Sequence, residues 1–156
     1  MDNIELRELG QSDKSIYTSF DKHLLPEELD IKIIEKRVRL IFLNHRPIGA
    51  LRWSLFWDEI PFLNLIYIDE DSRGMGIGRQ VLRLWEDEMQ SFGYKMLMSS
   101  TQSDEEAQHF FRKLDYIEKG TIDFDGTPFE QAAELILMKN LSSHGLILEG
   151  ERVNEA

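Results

Sequence analysis

The run Arg73-Gly74-Met75-Gly76-Ile77-Gly78-Arg79 constrains this chain more than any other feature. An apolar stretch of strand character, Phe62-Leu63-Asn64-Leu65-Ile66-Tyr67-Ile68, leads into it, and an amphipathic pattern ending near Phe92 follows it. A strand, a glycine-rich turn and a helix start together make a place where backbone can wrap an anion. Glycine lets the backbone approach a ligand closely, and the first N–H groups of a helix have no partner inside it. The helix dipole adds partial positive charge at the same point. The segment therefore points to a ligand carrying phosphate or pyrophosphate.

Two common phosphate loops do not fit. A P-loop needs Gly-x-x-x-x-Gly-Lys followed by Ser or Thr, and that string is absent. A dinucleotide fingerprint needs Gly-x-Gly-x-x-Gly, and its third glycine would fall on Arg79 or Val81. The spacing Arg-x-x-Gly-x-Gly at Arg73, Gly76 and Gly78 resembles the acetyl-coenzyme A (acetyl-CoA) pyrophosphate signature of the GNAT superfamily of N-acetyltransferases.

The resemblance spans about residues 1–140, taken as one domain, with 141–156 as a tail of unassigned structure. The pattern predicts a strand over 4–9 and helices over 12–24 and 26–35, the second opened by Pro26 with Glu27 and Glu28. Strands follow at 37–43 and 47–57 around the turn 44–46. After the signature strand and helix come a strand at 95–100 and a helix with apolar Ala107, Phe110, Phe111 and Leu114. Ser103 and Glu106 have capping-box spacing ahead of that helix. Strands at 116–124 and 133–139 flank the turn 125–128. The resemblance implies an α/β (α+β) fold, a mixed and mostly antiparallel sheet of six to seven strands with about four helices. The tail offers one apolar run, Leu146-Ile147-Leu148.

The chain's 156 residues suit one domain. No apolar run approaches the ~20 residues of a membrane span, and no signal-peptide pattern opens the chain. A cytoplasmic protein without a membrane partner is expected, and a homodimer is compatible with it. Absence of cysteine excludes disulfides and an acyl-cysteine intermediate. The four histidines lack metal spacing, so no metal is expected, and His109 reads as a surface or capping residue. The net charge of −11 argues against nucleic acid as a partner. Acidic clusters at 58–59, 69–71 and 104–106 serve solubility or attract a cationic amine. Trp53 and Trp57 are either core residues or, with Asp58 and Glu59, a surface for that cation.

What the resemblance implies chemically is acetyl transfer from acetyl-CoA directly to a primary amine, of a small molecule in the preferred reading. A protein N-terminal or lysine acetyltransferase and a non-catalytic acyl-CoA-binding regulatory module are the alternatives. Backbone from Arg73 through Gly74, Met75, Gly76, Ile77, Gly78 and Arg79 would hold the pyrophosphate, with help from the two arginine side chains. Backbone of Ile66, Tyr67 and Ile68 would pair with the pantetheine arm, and the Ile66 N–H would polarise the acetyl carbonyl. Losing such a donor typically costs about 3 kcal/mol of transition-state stabilisation. An alkyl amine with pKa of ~10.4 must lose a proton, and Glu59 at the strand entrance is the expected base, with Asp58 second. Strict alternation puts Phe62, Asn64, Ile66 and Ile68 on one face. The family's frequent tyrosine, beside the coenzyme, falls on Phe111, its glycine on Asp115 and its asparagine on Asp104. A phenyl ring has no proton to give, which leaves solvent or Tyr116 to protonate the leaving thiolate.

Overall fold

The computed structural model describes residues 2–141; the tail segment 142–156 lies outside the described residues. Seven strands, β1 (Ile4–Arg7), β2 (Val38–Leu43), β3 (Arg46–Phe56), β4 (Ile60–Ile68), β5 (Met96–Gln102), β6 (Ile117–Ile122) and β7 (Glu134–Asn140), form one sheet in the order β1-β2-β3-β4-β5-β7-β6. Four helices accompany them, α1 (Lys14–Phe20), α2 (Pro26–Glu35), α3 (Ile77–Ser91) and α4 (Ala107–Lys113). Every neighbouring pair is antiparallel except β4 and β5, which run parallel with α3 between them in sequence. The mixed, mostly antiparallel architecture is the one the resemblance implies. Among the described residues no helix is long and apolar enough to cross a membrane.

Each face of the sheet has its own core. Helix α3 buries Ile77, Val81, Leu82, Trp85 and Met89, a stripe at helical spacing, while Arg79, Arg83 and Asp87 face water. That stripe packs on Ile41, Leu51, Trp53, Leu63, Leu97 and Leu137, with Phe111 and Leu114 of the α4 region. Trp53 and Trp85 meet edge-on at 6.0 Å. Trp53 is therefore a core residue and not part of a cation surface. Burying a large apolar side chain stabilises the fold by roughly 2–3 kcal/mol, so this stripe fixes α3 to the sheet. On the opposite face Tyr17 and Leu29, from α1 and α2, cover Val38, Leu40 and Ala50.

Some boundaries differ from the sequence pattern for identifiable reasons. The helix expected over 12–24 is a three-residue turn, Gln11–Asp13, followed by α1, which ends at Phe20. Asp21 turns to extended backbone and buries its carboxylate, which accepts from Tyr17 Oη at 2.7 Å, Arg52 Nε at 2.7 Å and the His23 N–H at 3.1 Å. Burial pushes that carboxyl up, but the Tyr17, Arg52 and His23 donors outweigh it and hold the group below the ordinary carboxylate range. The capping box at Ser103 does not form. Its N–H is bonded to the Ala133 carbonyl at 2.7 Å, which keeps the chain tied to the sheet, and α4 starts only at Ala107.

Glycine is required at one place inside the sheet. A Cβ on Gly49 would lie 2.0 Å from the Tyr67 carbonyl oxygen. Because that obstacle is backbone, Gly49→Ala must push β3 from β4. We expect a loss of about 3 kcal/mol, read as a lower urea midpoint with an unchanged slope.

Candidate functional site

Strand β4 is complete on one side and open on the other. Its pairing with β3 runs from Ile60 to Ile68, interrupted between Arg52 and Trp53, which pair with Leu65 and Leu63. Asn64 is the extra residue, a β-bulge. The bulge breaks strict alternation, so Leu63 and Ile66, three apart, both pack toward α3. The face expected to carry Phe62 with Ile66 is corrected accordingly. On the β5 side, β4 pairs only at Phe62 with Met98 and at Leu63 with Ser99. Ser99 Oγ donates to the Leu63 carbonyl at 2.9 Å and closes the last contact. Beyond it the two strands separate.

Which backbone groups face the gap follows from the β3 ladder. The Asp69 N–H donates to the Ile48 carbonyl at 2.8 Å. Antiparallel alternation then turns the N–H groups of Leu65 and Tyr67 toward β3, and those of Ile66 and Ile68 into the gap. The Ile68 carbonyl takes Arg73 Nε at 2.6 Å, which agrees. Unpaired strand edges of this kind bind extended ligands. Of the three residues expected to hold a pantetheine arm, Ile66 and Ile68 offer backbone to the gap. Tyr67 turns its own to β3, and its ring lies 6.0 Å from Phe20.

The glycine loop follows at the open end. Gly74 and Gly76 have φ of 82° and 77°, a region that suits glycine. A Cβ on either would meet no protein atom within 4 Å, so both positions border open space. Among the described residues no backbone acceptor serves the N–H groups from Gly74 to Arg79; Gln80 is the first to bond back, to Gly76. A cleft of about 480 Å³ lies over these amides, flanked by Arg79 and by Lys113, His109 and Phe110 of α4. The loop expected to hold pyrophosphate thus presents free amides and cations at one place. Gly78 lets α4 come near, its missing Cβ position lying 3.3 Å from the Phe110 ring.

The gap continues as a cleft of about 430 Å³ lined by Leu63, Asn64, Leu65 and Ile66 on one side and by Ser99, Ser100, Thr101 and Gln102 on the other. Phe111 lines it from α4, and Asp115 adopts the left-handed φ of 72° in place of the expected glycine. Phe124, Phe129, Gln131 and Glu134 line it from the loop before β7 and from that strand's first turn. On the sheet face away from α3, Glu134 accepts from Ser100 Oγ at 2.6 Å and from Gln131 Nε2 at 3.0 Å. Gln102 in turn donates to Gln131 Oε1 at 3.2 Å. Glu105 also borders this cleft, and among the described residues no lysine or arginine does. On the α3 face, Thr101 is 6% exposed and its Oγ1 is buried without a hydrogen-bond partner among the described residues.

Two expected catalytic residues stand elsewhere. Glu59 is at the tip of the β3–β4 hairpin and lines a different cleft with Ile60, Gly93, Tyr94 and Lys95. It precedes the closed end of the β4–β5 pair, while the gap opens toward the other end. Trp57 and Asp58 occupy the same tip at φ of 56° and 60°, and Trp57 is 74% exposed. Tyr116 is interior: its hydroxyl donates to Glu86 Oε2 at 2.8 Å, and Lys139 Nζ donates to the same carboxylate. Burial, then the Glu86 charge and hydrogen bond, raise its hydroxyl far above the ordinary tyrosine range. Such a group holds its proton. Glu134, Ser100, Gln131 and Thr101, by contrast, carry no motif and escape sequence reading, because only β-pairing brings them beside β4.

If Tyr116 is structural, Tyr116→Phe lowers stability by about 1–3 kcal/mol through the lost bond to a charged group, while turnover stays at the wild-type value. Urea unfolding and steady-state rates measured on one preparation check both halves.

Residues 6–116 match the acetyltransferase (GNAT) family. No curated protein matches the chain at a significant level. Among solved structures, the ribosomal-protein-S18-alanine N-acetyltransferase from Escherichia coli is similar at 19% identity and TM-score 0.74, with 95% of this chain and 99% of that one covered. A GNAT family acetyltransferase from Elizabethkingia anophelis with acetyl-CoA bound is similar at 18% identity and TM-score 0.70, with 90% and 98% covered. Naa50 from Arabidopsis thaliana, in complex with the bisubstrate analogue CoA-Ac-MVNAL, is similar at 16% identity and TM-score 0.69, with 87% and 97% covered. At these identities the likeness establishes the fold.

Proposed function

Because this chain belongs to the GNAT family of acetyltransferases, we propose that it transfers acetyl from acetyl-CoA to the primary amine of a small cationic molecule, directly and without an acyl-enzyme. The observation that carries the reading is the open edge of β4, whose Ile66 and Ile68 amides face the gap and whose end runs into an amide-lined loop. Those residues fit the coenzyme. The free amides from Gly74 to Arg79, with Arg79 and Lys113 nearby, suit a pyrophosphate. The β4 edge suits the amide-bearing pantetheine arm as an added strand. The buried, unpartnered Thr101 hydroxyl is the kind of group a ligand completes.

The amine would approach from the opposite sheet face, where Glu134 borders the cleft; Glu105 lines the same cleft, and among the described residues no lysine or arginine does. An ammonium group is favoured there, and Phe124 and Phe129 add aromatic faces. Its surplus proton passes to the Glu134 carboxylate, directly or through water, before nitrogen attacks the acetyl carbon. The carbonyl oxygen gains charge as the C–N bond forms, and the Ile66 N–H is the donor turned toward it. Glu134 replaces Glu59 as the base because it shares the cleft with β4.

Two experiments test this. Gly76→Val places a branched side chain where the loop borders open space, so calorimetry should show acetyl-CoA affinity falling at least tenfold in a folded variant. No binding by the intact protein, or unaltered binding by the variant, defeats the coenzyme assignment. For the base, Glu134→Gln should lower transfer about 10²-fold near neutral pH and less at alkaline pH, where the amine is already deprotonated. Glu59→Gln should match wild type throughout. A panel of diamines, amino sugars and peptides with free N-termini identifies the acceptor, and preference for a peptide would replace the small-molecule reading.

A further inference from the structure

Thr101 is the one cleft-lining side chain whose polar atom is buried with no partner among the described residues. A lone hydroxyl in a dry place is costly, and retaining one beside a cleft points to a ligand atom that meets it. Thr101 pairs with Leu135 and alternates with Leu97 and Ser99, which sets its side chain on the face covered by α3 and α4. Ala107 and Phe111 line the cleft beside it.

Its height in the gap identifies the ligand atom. The strands close at Leu63 and Ser99. Thr101 lies two residues beyond that closure, about 7 Å at the usual strand rise. Ile66 lies three residues beyond Leu63, but the bulge at Asn64 shortens its advance to about the same height. The two therefore stand level across the gap. In a thioester, oxygen and sulfur are bonded to one carbon, so a carbonyl on the Ile66 N–H holds its sulfur within two bonds. The glycine loop and α4 bring the coenzyme along the helix-covered face, which is where the Thr101 side chain sits.

Resting on the acetyl-CoA reading above, we propose that Thr101 donates its hydroxyl hydrogen bond to the sulfur of the thioester and of the departing thiolate, a role that Phe111 has no hydroxyl to fill. The amine nitrogen forms the new bond to the acetyl carbon, the C–S bond breaks, and its electron pair leaves on sulfur. Thr101 keeps its proton and shares it with the thiolate through the hydrogen bond. Glu134, having passed the ammonium proton on to solvent, takes the second proton that nitrogen sheds as the amide forms, and solvent finally protonates the thiolate. The products are the acetylated amine and free coenzyme A.

The test is the pH dependence of coenzyme A binding, which reads the sulfur without turnover. A donor to the thiolate lowers the bound thiol's pKa, and each unit of lowering tightens binding about tenfold on the alkaline side. Wild type and Thr101→Ser should bind coenzyme A progressively more tightly from pH 7 to 10. Thr101→Val should lose most of that rise while keeping its neutral-pH affinity within a few-fold. Desulfo-coenzyme A, which lacks the sulfur, should show no rise with any variant. It also cancels the charged groups around the site, namely Glu105 and Glu106 ahead of α4, His109 and Lys113 on it, Glu134 on β7, and Arg73 and Arg79 of the loop. The inference is overturned if wild-type binding shows no sulfur-dependent rise, or if Thr101→Val keeps it. The first of these needs no variant, so a misfolded valine protein leaves the test intact. Failure of wild type to bind either compound instead defeats the acetyl-CoA reading itself.

Discussion

Strands β4 and β5 touch at two residue pairs and then part, and the rest of the molecule is organised around that separation. Neither strand can satisfy the other's backbone past Leu63 and Ser99. Water or a ligand must therefore bond the amides that β4 turns toward the gap. The bulge at Asn64 belongs to the same feature, since it rotates the strand just where pairing stops and decides which amides look inward. A cleft made by interrupting a sheet gives a ligand backbone donors fixed on both ends by strand and helix, a firmer arrangement than a pocket built from loops.

A sheet cut nearly in two needs something else to hold its parts. Helix α3 is that brace. Its apolar stripe packs on Leu51, Trp53 and Leu63 from one part and on Leu97 and Leu137 from the other. Polar contacts reinforce both sides. Arg39 of β2 pairs with Glu88, and Glu86 receives both the Tyr116 hydroxyl and the Lys139 ammonium. A buried carboxylate that loses a donor is destabilised, so the Tyr116 hydroxyl and Lys139 together tie Glu86 into the frame. The Tyr116 ring also stacks edge-on against Phe111 at 5.2 Å, so the brace positions the ring that walls the cleft.

Local signals were legible in the sequence, and pairings between distant segments were not. The loop from Arg73 to Arg79 and the stripe of α3 lie within one stretch, and both stand as the residues predict. So does the left-handed Asp115, because the turn after α4 requires that conformation whatever residue occupies it. Glu59 reads as close to the chemistry because it stands at the entrance of the signature strand. In a strand, five residues are about 16 Å, so sequence nearness there means distance. Asn64 itself looked like an alternating residue, since a bulge is defined by the partner strand. Glu134 and Thr101 gave no signal, because β7 and β5 supply them to a cleft whose other wall is β4.

Arg73 shows how one residue can match a motif and yet do a second thing. Its place in Arg-x-x-Gly-x-Gly assigns it to the anion, but its Nε is committed to the Ile68 carbonyl, with the guanidinium 5.2 Å from the centre of the Tyr67 ring. The Ile68 carbonyl faces the gap, where β5 offers it no donor. Arg73 therefore stands in for the missing strand at the end of β4 and ties the glycine loop to it. That bond uses one of five guanidinium N–H donors, leaving the terminal nitrogens for a phosphate. Lysine would supply charge without the fork that serves carbonyl and phosphate together, so charge alone does not explain an arginine here. Arg79 and Lys113, which flank the loop from α3 and α4, carry no such second duty in the contacts described. An anion on the loop would then meet free amides and those two cations, with Glu106 also at the cleft, while Arg73 sets where the loop stands relative to the open edge of β4.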